Sequence, residues 1–129
     1  MSEYFPSAEQ FERLSRDASV VPVFREVIAD RLTPVLAHAT LGQDAGSYLL
    51  ESVTGGETWA RYSFVGFAPD VIVRGVADKF ERVQDGEVQQ ELDVDPWQRL
   101  RETLAEWKPP EVDWLPRFWG GAVGYASYD

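Results

Sequence analysis

The sequence contains no cysteine and a single histidine, His38. Without cysteine there can be no disulfide framework, and no thiolate is present to attack a substrate or to hold zinc. That absence is typical of a cytosolic protein. We identify no nucleophile or second metal ligand that would give His38 a catalytic role, so we predict a polar or partly packed helix residue there.

Positive charge and long apolar runs are scarce as well. Lysine and arginine number 12 against 22 aspartates and glutamates, which gives a formal net charge of −10. Such a surface repels a phosphate backbone and an anionic membrane, so neither nucleic acid nor membrane is an expected partner. No apolar run approaches the length of a membrane span, and the first residues lack the basic start and apolar core of a signal peptide. These features predict a cytoplasmic protein.

Apolar residues, in contrast, make up 44% of the 129 residues, and the aromatic ones comprise 5 Trp, 5 Tyr and 7 Phe. This content is sufficient for one domain with a hydrophobic core. Short apolar stretches joined by short glycine turns favour antiparallel strands, because parallel strands need longer crossovers. We therefore predict an α+β fold, in which an antiparallel meander over residues 47–92 is flanked by a helix over residues 96–107.

The predicted meander depends on two turn signals. Gly55-Gly56 can adopt the positive φ that a chain reversal needs, and Asp85-Gly86 is a strong signal for a tight hairpin. The apolar or alternating stretches around these turns predict strands over residues 48–50, 62–65, 70–75, 79–84 and 87–92.

Helix signals precede the meander. Ser7 and Gln10 have the spacing of a capping box, which predicts a short helix over residues 7–17. Thr33-Pro34 is a typical helix start, and Gly42 ends this second helix. Between the two helices, β-branched residues predict an edge strand that begins near Val20 and ends near Ile28.

Several apolar side chains are expected to face the core, and one apolar stretch is expected to form an exposed strand. The third helix opens at Asp95-Pro96, with Gln98 at its capping-box position. Glycine and aromatic residues from Phe118 to Tyr128 predict the exposed strand, which we expect to promote self-association. The predicted partly buried residues of the second helix are Val35, Leu36 and Leu41, and the core stripe of the third is Trp97, Leu100, Leu104 and Trp107.

Polar residues end the first strand of the meander. Alternation sets Leu50 and Ser52 on one face and Glu51 on the other. Burying Glu51 without a partner would be costly, so this strand end is either the rim of the sheet or a polar binding pocket. Arg61 is the candidate partner of Glu51. Taken alone, these residues favour a surface strand end with a weak ion pair.

These residues belong to a longer pattern. Leu-Leu-Glu-Ser at residues 49–52 is followed by Arg-Tyr-Ser-Phe-Val-Gly at residues 61–66. In this order, and together with residues 21–41 and 120–129, the pattern resembles the N-terminal part of anthranilate synthase component I. The similar stretches cover about half of the chain, which is more specific than a single short motif.

The resemblance implies a function. Anthranilate synthase, a lyase, converts chorismate and ammonia to anthranilate and pyruvate in the first step of tryptophan biosynthesis, and a glutamine amidotransferase subunit supplies the ammonia. Residues 1–129 would be the N-terminal regulatory region of component I. They would lack the C-terminal catalytic half that binds chorismate and Mg²⁺, so no catalytic or metal-binding residue is expected here and the fragment alone should be inactive.

The resemblance also implies a site. In that family the Leu-Leu-Glu-Ser stretch lines the pocket for L-tryptophan as feedback inhibitor. Leu50, Glu51 and Ser52 carry over to this pocket directly. The serine hydroxyl can hydrogen-bond an amino-acid zwitterion, and Glu51 either attracts the ligand ammonium or pairs with Arg61. Arg61, Tyr62 and Ser63 carry over less directly, because the turn before them varies in length within the family.

Two alternatives remain open. The chain could be the corresponding part of aminodeoxychorismate synthase or of a salicylate-type relative, which share parts of the pattern. It could also be a stand-alone amino-acid-sensing module. The continuation of the sequence beyond Asp129 would discriminate the sensor, and an activity assay would discriminate the chorismate enzymes.

Overall fold

A computed structural model describes residues 4–42, 44–51, 62–116 and 118–128 of the chain. In these parts the elements alternate between short helices and short strands. The helices are α1 (Ala8–Leu14), α2 (Pro34–Leu41) and α3 (Pro96–Ala105), and the strands are β1 (Tyr48–Leu50), β2 (Phe64–Gly66), β3 (Val71–Val76), β4 (Lys79–Gln84) and β5 (Glu87–Glu91).

All strand pairs in the described residues are antiparallel, which confirms the α+β prediction. The strands form two sheets, β1-β2 and β3-β4-β5, instead of the single predicted meander. Between the sheets the chain turns at Ala68, whose φ of 47° lies in the left-handed region. Asp85 and Gly86 both have positive φ, as the predicted tight turn between β4 and β5 requires.

Helix α3 covers one face of the three-stranded sheet. Pro96 at its start lies against Gly75 of β3, where an added Cβ would come within 2.5 Å of the proline Cβ. Phe80 of β4, opposite Gly75 in the register, is buried, as is Thr103 of α3. A pleated strand directs alternate residues to one face, so Phe80 and Arg82 both point towards α3.

The N-terminal segment packs by aromatic contacts. Phe5 and Phe24 form an isolated antiparallel bridge, and the Trp114 ring lies 4.7 Å from the Phe5 ring and 5.7 Å from the Phe24 ring. Farther along, Ser19 joins the segment to the end of α3. Its hydroxyl donates to the Glu106 carbonyl at 3.1 Å and accepts from the Lys108 N–H at 2.7 Å.

The predicted helix starts are confirmed. Ser7 and Gln10 form the complete capping box, although α1 ends at Leu14 and not near residue 17. The hydroxyl of Thr33 accepts from the Leu36 N–H at 3.2 Å, and Asp95 caps α3. The capping box predicted for Gln98 is wrong: its side-chain amide donates to Glu102 at 3.0 Å, one turn farther along α3, and the Asp95 carboxylate accepts from the Trp97 N–H instead.

Three packing expectations were wrong. The segment from Val20 forms only the bridge at Phe24, because the aromatic cluster holds it by side chains and not by a ladder. Residues 118–128 form no strand in the described structure, and all of them are exposed apart from Phe118, which is half-buried. The expected burial also fails at Val35, Leu36, Leu41, Trp97 and Leu104, all of which are exposed.

Candidate functional site

The predicted binding residues that the structure describes lie at the end of the β1-β2 pair formed by Leu50 and Phe64. The register sets Tyr48 opposite Gly66, Leu49 opposite Val65, and Leu50 opposite Phe64. Helix α2 packs against both strands. The residues that follow Leu50 and precede Phe64 therefore emerge side by side at this end of the pair.

One face of the pair is aromatic. The Tyr48 ring lies over Gly66, where an added Cβ would be 2.1 Å from the tyrosine Cε1. The Phe64 ring meets Phe118 edge to face at 5.0 Å, and the Tyr62 ring lies 6.2 Å from Phe64 at an interplanar angle of 34°. These rings build one continuous apolar surface along the hairpin.

Two of the predicted site residues belong to this aromatic face. Leu50 is 44% exposed beside its register partner Phe64, and Tyr62 is 55% exposed. Both side chains are thus accessible to a ligand and lie beside the Phe64 ring. Such a surface can cover one side of a planar apolar ligand.

Glu51 and Ser63 take a different position. The register, continued by one pair, sets these two residues opposite each other, and alternation directs them to the face away from Leu50 and Phe64. Both are exposed. Their carboxylate and hydroxyl are suited to the charged end of an amino acid. They lie on the opposite face of the strand pair from the aromatic rings.

The remaining predicted residues, Ser52 and Arg61, lie outside the described residues, and so does the predicted turn at Gly55-Gly56. The proposed pairing of Glu51 with Arg61 therefore stays a prediction. Sequence reasoning missed Phe118 and Gly66 as parts of this surface. A glycine inside a strand pattern is the signal that could have shown a close approach at Gly66.

His38 lies on the helix that backs the hairpin. It is half-buried, and its ring would be 2.8 Å from a Cβ added at Gly42, the residue that caps α2. This placement confirms a partly packed helix residue. The described residues contain no group of three or more His, Asp or Glu side chains that could hold a metal ion.

Other charged groups of the described structure form ion pairs around α3. Arg82 donates to Glu106 at 2.7 Å, and this hydrogen bond lowers the pKa of Glu106. Arg99 pairs with Glu91 of β5 and with Glu102 of its own helix, and its hydrogen bond lowers the pKa of Glu102. The Arg82–Glu106 and Arg99–Glu91 pairs connect α3 and its C-cap to the three-stranded sheet, which is separate from the β1-β2 sheet.

None of the three helices in the described ranges combines the length and the apolar character that crossing a membrane requires. No family model matches the chain. No solved structure matches it either.

Curated proteins, however, match nearly the whole chain. The chain is 34% identical over 126 residues to anthranilate synthase component 1 of Acetivibrio thermocellus, which covers 98% of the chain and 26% of that protein. It is 36% identical to the component 1 of Aquifex aeolicus, over 95% of the chain and 25% of the relative. Against the Pseudomonas aeruginosa component 1, identity is 41% over 94% of the chain and 25% of the relative.

The chain thus spans about a quarter of the length of these relatives. The matches extend well beyond the stretches at residues 49–52 and 61–66, so the similarity does not depend on a short motif. By sequence, this chain is related to anthranilate synthase component 1 over nearly all of its length and corresponds to about a quarter of that protein.

Proposed function

We propose that residues 1–129 are the N-terminal, tryptophan-sensing part of an anthranilate synthase component 1. The observation that carries this proposal is the 34–41% identity to three such proteins over at least 94% of the chain. The parent enzyme converts chorismate and glutamine-derived ammonia to anthranilate and pyruvate. In this proposal the chain makes the parent enzyme sensitive to feedback inhibition by tryptophan. The parent enzyme acts in tryptophan biosynthesis in the cytoplasm.

The arrangement at the end of the β1-β2 pair supports a sensor of an aromatic amino acid. Leu50 and Tyr62 offer accessible apolar surface beside Phe64, which suits an indole ring. Glu51 and Ser63 offer a carboxylate and a hydroxyl at the same end. Ser52 follows directly in the chain, and we assign its hydroxyl to the ligand zwitterion, with Arg61 as a further contact.

Leu50 and Tyr62 on the aromatic surface of the β1-β2 pair are exposed. We therefore propose that the C-terminal catalytic half of the parent protein completes the tryptophan pocket. We assign the chorismate and Mg²⁺ ligands to the same half. A glutamine amidotransferase subunit is the proposed partner that supplies ammonia.

The experiment uses the full-length component 1 that contains this segment, assayed with chorismate, Mg²⁺ and ammonia. Mass spectrometry of the product should identify anthranilate and pyruvate, and added L-tryptophan should suppress their formation. An aminodeoxychorismate or salicylate-type product would assign the segment to one of the sister enzymes. Anthranilate formation that L-tryptophan does not change would contradict the sensing role.

A further inference from the structure

Helix α2 presents its larger apolar side chains outward. Ala37 and His38 are half-buried, whereas Val35 is 57%, Leu36 is 49% and Leu41 is 46% exposed, although the helix as a whole packs against both strands of the β1-β2 pair. In a surface helix the opposite arrangement is the usual one, with the apolar stripe towards the core and polar groups outside. We call the side that carries Val35, Leu36 and Thr40 the outer face of α2.

The outer face lacks the charged side chains that a solvent-exposed helix face usually carries. From Pro34 to Leu41 the sequence contains no lysine, arginine, aspartate or glutamate. The one hydroxyl on this face, that of Thr40, donates to the Leu36 carbonyl at 2.8 Å. Covering the face would therefore leave no charge and no hydroxyl donor without a partner.

We infer that the outer face of α2 is an internal interface, covered by the remaining part of the component 1 polypeptide. This inference rests on the proposed function, because it takes the rest of that protein as the occupant. Relatives about four times as long as the chain provide the length of polypeptide needed. A second copy of the chain is the less suitable occupant of this face, because the net charge of −10 on each copy opposes its pairing and the self-association that we expect involves residues 118–128 instead.

The absence of cysteine from residues 1–129 makes a thiol probe specific. V35C places a thiol on the outer face. The control Q89C places one on β5, where Gln89 is exposed among polar residues. Each variant is made in the full-length protein and in residues 1–129, and maleimide labelling of the probe is followed by peptide mass spectrometry at low protein concentration.

We expect the V35C thiol to react at least roughly tenfold more slowly in the full-length protein than in residues 1–129, because a buried thiol reacts only through local opening. Q89C should react at the same rate in both. Equal V35C rates in the two proteins would overturn the inference. Protection of V35C in residues 1–129 that grows with protein concentration would also overturn it, in favour of a second copy as occupant.

A second measurement tests the same interface without the V35C substitution. Hydrogen–deuterium exchange of the unmodified proteins should show slower exchange of peptides that cover residues 34–42 in the full-length protein, and unchanged exchange there would overturn the inference. Tryptophan inhibition is measured separately. A protected V35C thiol in an enzyme that ignores tryptophan would support the interface and contradict the sensor, whereas normal inhibition with an unprotected thiol would contradict the interface alone.

Discussion

At the scale of single residues, Gly66 determines the geometry of the β1-β2 pair. Its register partner Tyr48 lays its ring directly over the glycine Cα, in the space that a side chain would fill. Backbone conformation does not require glycine here; the close approach of the ring does. The aromatic face beside the candidate site depends on this contact, because Phe64 lies in the same strand and on the same face.

Gly66→Ala should therefore destabilise the chain. The added methyl would lie 2.1 Å from the Tyr48 Cε1 and must displace the ring or the strand. Such overpacking typically costs about 1–3 kcal/mol of the free energy of unfolding. Urea unfolding followed by far-ultraviolet circular dichroism measures the loss. The matched control is Gly124→Ala, where the added Cβ meets nothing within 4 Å and the urea midpoint should stay within error.

Residue-scale features were also the most predictable from sequence. The local sequence identifies Ser7, Thr33 and Asp95 as caps, and all three accept the expected backbone N–H. A cap depends on residues two or three positions away, so the local sequence contains the information. It does not identify Gly66 as a contact, because the partner ring comes from a different strand.

At the scale of elements, the attachment of α3 to the three-stranded sheet combines packing with ion pairs. Pro96 meets Gly75 at one end of the helix, and Arg82 of β4 reaches Glu106 at the other. The hydrogen bond lowers the pKa of Glu106 and raises that of Arg82. The charged pair thus favours the docked helix whenever the carboxylate is ionised.

This linkage gives a pH dependence with a definite sign. The folded state holds the Glu106 pKa below its unfolded value, so the folded chain binds fewer protons and its stability falls with pH below roughly 4.3, the ordinary glutamate value. The contribution is fully present near neutral pH. Urea midpoints between pH 7 and pH 3 should show a shallower acid decrease in Glu106→Gln than in the unmodified chain.

Arg82→Gln is the matched variant, because it removes the donor of the same hydrogen bond. It should reduce the acid decrease to the same extent as Glu106→Gln, and the double variant should add nothing further. Additive effects of the two substitutions would show that the pair does not act as one interaction.

Predictions of secondary-structure elements were correct where a local sequence pattern specifies the element, and they were wrong where tertiary packing determines it. The β4-β5 hairpin has the predicted bounds within one residue, since Asp85-Gly86 and alternation specify it. The segment from Val20 has strand propensity but is held by the Phe5, Phe24 and Trp114 rings. In α3 the apolar spacing predicts the helix correctly, yet Trp97 is 58% exposed. The side of α3 that packs against the sheet contains the buried Thr103 and does not coincide with the predicted apolar stripe.

At the scale of the whole molecule, the sequence pattern predicts which residues belong to the candidate site but not how they are arranged in space. The order of the stretches at residues 49–52 and 61–66 indicates the family from the amino-acid sequence alone. The pattern could not show that Leu50 and Tyr62 share an aromatic face while Glu51 and Ser63 follow the opposite one, because that division depends on the register. Ser52 and Arg61 remain predictions.

Residues 1–129 alone should not turn over chorismate. In the proposed function the Mg²⁺ and substrate ligands belong to the rest of component 1. Anthranilate fluorescence from the purified chain with chorismate, Mg²⁺ and ammonia should stay at the level of a protein-free blank. Sustained turnover would mean that the catalytic residues lie within this chain.

The isolated chain should self-associate and bind tryptophan weakly or not at all. Tyr125 and Tyr128 are almost fully exposed in a segment rich in apolar residues, and exposed apolar surface favours association with another chain. The net charge of −10 opposes this association without removing the apolar surface. Light scattering should show a dimer or larger species. A monodisperse monomer that binds tryptophan tightly in calorimetric titration would support a stand-alone sensor.

The most direct test of the account is the tryptophan inhibition constant of the full-length enzyme with Ser52→Ala. We expect weaker inhibition by roughly 10- to 150-fold, since one hydrogen bond to a charged ligand group contributes on the order of 1.5–3 kcal/mol, while turnover without tryptophan is unchanged. Ser15→Ala, which removes a hydroxyl that donates to the Glu12 carbonyl in α1, should leave inhibition as it was. An unchanged inhibition constant in Ser52→Ala, and in a bulkier replacement at the same position, would contradict the assignment of the tryptophan site to this chain.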